Sequence, residues 1–101
     1  MPSREVEEAL SATARARGLA VPEKWSGCDA FWPLLEEMRR EGAVVVVKLD
    51  GERGADESDA GPYTVVISRG GLGDDFVQRS AGSPEEVLAS AVLEYARLAW
   101  P

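Results

Sequence analysis

The sequence predicts an α+β fold: a three-stranded antiparallel meander with helices packed on it, in the order α-α-β-β-β-α. Three observations predict it. Helical periodicity occupies both ends of the chain, a β-branched block, "AVVVVKL" (Ala43–Leu49), sits in the middle, and glycine-rich stretches separate that block from two further β-prone segments. With 101 residues, 45% of them apolar, the chain has material for one modest core and therefore one domain spanning 1–101.

The first helix is expected within residues 1–18. "SREVEEALSATARAR" is rich in helix formers, and Val6, Leu10 and Ala14 recur at a spacing of four. Glu5, Glu7 and Glu8 open it, Arg15 and Arg17 close it, and Gly18 follows, an order that suits the helix dipole and a glycine stop. Its apolar face is narrow and mostly alanine, so it is expected to pack lightly or to pack where small residues are needed.

A second helix is expected over 29–41, capped by Asp29 and stopped at Gly42. Phe31, Leu34, Leu35 and Met38 form its apolar stripe, with Glu36, Glu37, Arg39 and Arg40 on the other side. Pro33 belongs in a first turn, which places the helix start no earlier than Asp29 and distorts its opening. Trp25, Phe31 and Trp32 concentrate three of the seven aromatics in eight residues, a cluster that serves either a core or a contact surface.

The sheet is expected over 43–81. Four consecutive valines in the first strand do not alternate with polar residues, which predicts that both faces of that strand are covered. "PYTVVISR" (62–69) reads as the second strand, with Val65 and Ile67 on one face and Val66 on the other, and "DFVQRSA" (75–81) as the third. Residues 50–61, "DGERGADESDAG", carry five acids against one arginine and read as a long mobile hairpin loop. It lacks the D-x-[DN]-x-[DN]-G core of an EF-hand.

"GGLGDDFVQ" (70–78) fits the calcium-binding nonapeptide G-G-x-G-x-D-x-U-x. In that architecture ions sit between successive turns of a solenoid, so copies must stack. Neither "GPYTVVISR" before it nor "RSAGSPEEV" after it is a second copy. The stretch therefore reads as a strand connection, with glycines supplying positive φ and Asp74 or Asp75 bonding the turn backbone.

The final helix is expected over 84–100. Ser83 is its N-cap, Pro84 its first residue, and Glu86 completes an S-x-x-E capping box. Val87, Leu88, Ala91, Val92, Tyr95, Leu98 and Ala99 then form a broad stripe running down to Trp100, the main cover of one sheet face.

Two blocks carry a family resemblance. Trp25, Ser26, Asp29, Trp32, Glu36, Glu37 and Met38 in "VPEKWSGCDAFWPLLEEMRREG", and Pro84, Glu85, Val87, Ala91 and Val92 in "GSPEEVLASAVLEYA", resemble the phage ABA sandwich domain family over about residues 21–96. The chain departs from that pattern in the serine-to-aspartate spacing at Cys28, in Pro33 directly after the tryptophan, and in Gly82 where the family has threonine. The resemblance implies an α/β/α sandwich and a small phage or prophage gene product, and it implies no activity.

Chemistry is sparse. Eleven basic and eighteen acidic residues leave a net charge of −7, which disfavours direct nucleic-acid binding and favours a basic protein partner. Without a histidine there is no His-based general base, no common nucleophilic triad and no usual zinc set. Cys28 has no histidine to activate it and no second cysteine to pair with. The adjacent Asp74 and Asp75 point to opposite sides of an extended chain. Lys24 and Lys48 lie in no phosphate-cradling motif, and G-x-G-x-x-G is absent. No catalytic residue, metal or cofactor is expected. Met1 is not followed by a signal-like apolar stretch, and the longest apolar run, 43–47, is far short of the roughly 20 residues that span a bilayer. A cytoplasmic protein is the expectation.

These observations favour a non-enzymatic inhibitor that occupies the basic surface of a nucleic-acid-handling host protein. Anti-defence proteins of phage, anti-CRISPR proteins among them, and nucleic-acid mimics are of this kind. The candidate contact residues are Asp50, Glu52, Asp56, Glu57, Asp59, Asp74 and Asp75, with Trp25 and Trp32 as aromatic anchors. A regular meander puts the loop at 50–61 and the turn at 70–75 at opposite ends of the sheet, giving two acidic patches rather than one. The alternatives are an immunity protein against a nuclease toxin and a phage assembly accessory with the tryptophans as an oligomer contact.

Overall fold

A computed structural model describes residues 3–52 and 61–101. The elements run α1 (Arg4–Ala16), a 3₁₀ turn (Cys28–Phe31), α2 (Trp32–Arg40), β1 (Ala43–Leu49), β2 (Tyr63–Arg69), a second 3₁₀ turn (Gly70–Leu72), β3 (Phe76–Ala81) and α3 (Pro84–Ala99). The class is α+β, with the expected order and with the strands arranged β1-β2-β3, all antiparallel.

The helix ends follow their local chemistry. The Ser3 hydroxyl accepts from the Val6 N–H at the start of α1, and the Ser83 hydroxyl accepts from the Glu86 N–H at the start of α3. The Ser83 hydroxyl in turn donates to the Glu86 carboxylate, which ties the capping box from side chain to side chain. Past the end of α1, Gly18 takes φ +71°, and the next N–H, of Leu19, returns to the Ala14 carbonyl. Leu10 and Ala14 are fully buried, so the narrow face of α1 packs closely where small residues fit rather than lightly.

The start of α2 differs from the expectation. Asp29 is exposed within the 3₁₀ turn and makes no capping bond; α2 begins at Trp32, with Pro33 in its first turn. Proline lacks the N–H that a first turn leaves unpaired and has its φ preset, so it starts the α-helix itself and leaves the residues before it in the tighter turn.

The core lies between α2, α3 and one face of the sheet. Val65, Ile67 and Val77 point into it from the strands, and Val87, Ala91, Val92 and Tyr95 from α3, all essentially inaccessible. α1 packs on α3, with Leu10 and Ala14 joining the same cluster.

Among the described residues only one face of the sheet is covered, which corrects the expectation drawn from the valine run and from the sandwich resemblance. The pairing places Val45 opposite Ile67 and Val47 opposite Val65 on the helix side, while Val44, Val46, Val66 and Phe76 share the other face. There Val44 is 48% exposed, Val46 52% and Phe76 63%. With α2 and α3 both on the helix side and α1 behind α3, no described helix lies over the second face. Consecutive valines favour β-strand geometry; they do not supply a second layer.

Candidate functional site

Two regions carry the unusual chemistry, and the first joins the C-terminal ends of the three helices. Glu41, just past α2, accepts through Oε1 from the Tyr95 hydroxyl (2.7 Å) and through Oε2 from the Trp100 indole N–H (2.7 Å) and the Arg17 guanidinium (2.8 Å). Arg17 also pairs with Glu37 (3.2 Å) and lies 4.7 Å from the centre of the Trp100 ring, a cation–π contact. Its Nε is buried with no partner among the described residues. The Tyr95 ring meets Trp100 edge to face at 5.1 Å.

The same hydroxyl accepts from the Gly71 N–H (3.1 Å), which ties the turn between β2 and β3 to α3. Close approach explains Gly70 and Gly71, and a φ of +62° explains Gly73. A Cβ on Gly70 would lie 2.8 Å from the Tyr95 hydroxyl and 2.9 Å from Ala43, and one on Gly71 would lie 2.9 Å from the Ala99 methyl. The turn is closed by the Asp75 N–H donating to the Leu72 carbonyl. Among the described residues the Asp74 and Asp75 carboxylates make no bond to it, which corrects that part of the expectation. Burial, reinforced by the hydrogen bond to the Glu41 carboxylate, pushes the Tyr95 phenol up to about 12. The neutral phenol donates to Glu41 and accepts from Gly71, and the cluster clamps the three helix ends together.

The second region is the open face of the sheet and its two ends. Val44, Ser68 and Phe76 form one cross-strand row and Val46, Val66 and Gln78 the next; Lys48, Thr64 and Ser80 complete the face, with the two hydroxyls 2.8 Å apart. Asp50 and Glu52 follow β1 at one end. Asp74 and Asp75, both exposed, precede β3 at the other. The two acidic groups therefore stand at opposite ends, as the meander requires. Asp50 spends part of its carboxylate on the Glu52 N–H (3.0 Å). Asp56, Glu57 and Asp59 lie outside the described residues.

The two candidate tryptophans separate. Trp25 is 3% exposed, stacks at a tilt on Phe31 with ring centres 5.4 Å apart, and donates its indole N–H to the Ser11 hydroxyl (3.0 Å). It holds α1 to the core, which corrects its assignment as a contact residue. Trp32 is 64% exposed and stands with Leu35, Val45 and Val47 along a groove of about 230 Å³ between α2 and β1.

Sequence reasoning missed Val44, Val46 and Phe76 as surface residues, and Glu41 as the hub of the clamp. For Phe76 a signal existed: Phe76 and Val77 are adjacent in a strand, so one of them must point away from the core. Nothing local marks Glu41, whose partners lie 24, 54 and 59 residues away. Among the described residues no group of His, Cys, Asp and Glu is placed to hold a metal, and no helix is long and apolar enough to cross a membrane. No family model, curated protein or solved structure matches the chain, so the likeness to the phage sandwich family rests on its residues alone.

Proposed function

We propose that this protein is a non-enzymatic binding protein that docks its open sheet face on a basic, nucleic-acid-handling protein and blocks it, as anti-defence inhibitors of phage do. The observation that carries this reading is the apolar strip of Val44, Val46 and Phe76, left bare in an acidic molecule and bounded at its two ends by Asp50 with Glu52 and by Asp74 with Asp75. A desolvated apolar centre inside a charged rim is the anatomy of a protein interface. The sign of the rim selects a partner whose matching surface is rich in lysine and arginine, as surfaces that handle nucleic acid are. Rim carboxylates steer the encounter; the apolar strip holds the complex.

The test is capture from a bacterial lysate on the immobilised protein, followed by elution with duplex DNA. A partner that DNA displaces supports the reading. Reversing Asp50, Glu52, Asp74 and Asp75 to lysine should abolish that capture, and Phe76→Ser should weaken it about tenfold or more, the cost of one buried aromatic anchor. Capture that survives the charge reversal sinks the proposal.

A further inference from the structure

The two edges of the sheet are finished differently. The middle of β3 is Gln78, Arg79 and Ser80, and Arg79 pairs with Glu94 of α3 at 3.2 Å, so the centre of that edge is polar and braced by a helix. β1 has no such guard. Its seven residues pair with β2 without a bulge, it contains no proline and a single charge, Lys48, and among the described residues no backbone hydrogen bond reaches its outer side. Unpaired N–H and C=O groups along a valine-rich strand without a bulge are a template for another strand, and natural proteins rarely leave such an edge bare.

We infer that β1 pairs antiparallel with β1 of a second copy, joining two meanders into one six-stranded sheet across a two-fold axis at Val46. The register that pairs all seven residues sets Ala43 opposite Leu49, Val44 opposite Lys48, Val45 opposite Val47 and Val46 opposite itself. In this register each residue meets one from the same face, so the helix layers of the two copies fall on the same side of the joined sheet. Leu49, 69% exposed, gains a neighbour, and the grooves holding Trp32 meet along the seam.

Along the seam itself charge permits a second copy and offers a basic foreign strand nothing to pair with. The chain as a whole carries −7, yet this contact does not repel itself: Lys48 meets a valine, and the groove rim is a Glu36–Arg39 ion pair, neutral as a unit. A basic segment of another protein finds no carboxylate along β1 to pair with. Pairing also moves the acids. Asp50 and Glu52 of one copy come to the same end as Asp74 and Asp75 of the other, about three strand spacings or roughly 14 Å apart. Each end of the joined sheet then carries a composite acidic patch. That consequence rests on the partner proposed above; the dimer itself does not.

The experiment is sedimentation equilibrium of the purified protein from low to high micromolar concentration, at low and high salt. The expected mass is twice 10.9 kDa, with association strengthened by salt as the acids at each end are screened. Val46→Lys and Val46→Glu should each sediment as monomers, because each sets like charges against one another on the axis, and their equimolar mixture should recover the doubled mass. Phe76→Ser, away from the edge, should remain dimeric. If Val46→Lys lacks a native circular dichroism spectrum, Leu49→Glu takes its place, with the same monomer expected. A wild-type mass of 10.9 kDa throughout, a Val46→Lys dimer, a mixture that stays monomeric, or loss of the dimer in Phe76→Ser alone overturns the inference.

Discussion

Val65 and Val46 are the same residue type on neighbouring strands, and they live in different solvents. Val65 is fully buried under the helices, while Val46 is 52% exposed on the bare face. Both satisfy the backbone in the same ladder. The difference shows that strand formation and face burial are separate requirements. A β-branched residue meets the first wherever it sits in a strand; only a second layer meets the other. A face that keeps valine and phenylalanine in water is the kind of strip that the proposed partner binding would use.

The largest expected effect tests that contrast directly. Val65→Ala should lower stability by about 2–3 kcal/mol, the lost burial plus the cavity left behind, whereas Val46→Ala should change it by less than about 0.5 kcal/mol. Urea melts of the two variants, at a protein concentration where both are in the same oligomeric state, read the comparison. Equal losses would mean that the bare face is covered after all.

A smaller effect belongs to the covered side, at the clamp. Tyr95→Phe leaves the Gly71 N–H without its acceptor and Glu41 without one donor, and should cost about 1–2 kcal/mol at neutral pH. The phenol also carries a pH signature. Its folded value lies near 12 against 10.0 for a free phenol, so the folded state holds its proton longer than the unfolded chain does. Stability from this group is intact below pH 10 and falls as pH rises from 10 toward 12. The wild type should therefore lose more of its urea midpoint between pH 9 and pH 11 than Tyr95→Phe does, and parallel losses would refute the clamp.

The smallest effect is a gain. Arg69, the residue where β2 turns toward Gly70, sits at φ +67° and ψ −154°, a region that only glycine enters without strain. Arg69→Gly should raise stability by about 1 kcal/mol, with an upward shift in melting temperature as the readout. A loss instead would show that the exposed guanidinium contributes more than its backbone costs.

The local elements were legible in the residues themselves. Ser83, Pro84 and Glu86 set the start of α3, the spacing of Val6, Leu10 and Ala14 set the buried line of α1, and Gly18 and Gly42 stop their helices at positive φ. The opposite placement of the two acidic groups also followed from the chain, because a meander reverses at each turn. Four features did not: the bare face, the burial of Trp25, the exposure of Trp32 and the role of Glu41. Trp25 and Trp32 are seven residues apart in one aromatic cluster, and only the docking of Trp25 on Ser11 of α1 and on Phe31 puts one inside and leaves the other out. Periodicity and capping are short-range properties, fixed within a few residues by sterics and hydrogen bonds, so the sequence determined them alone. Which side of a valine strand receives a helix, and which carboxylate gathers donors from three distant segments, depends on where the chain returns, and only the tertiary structure decided it.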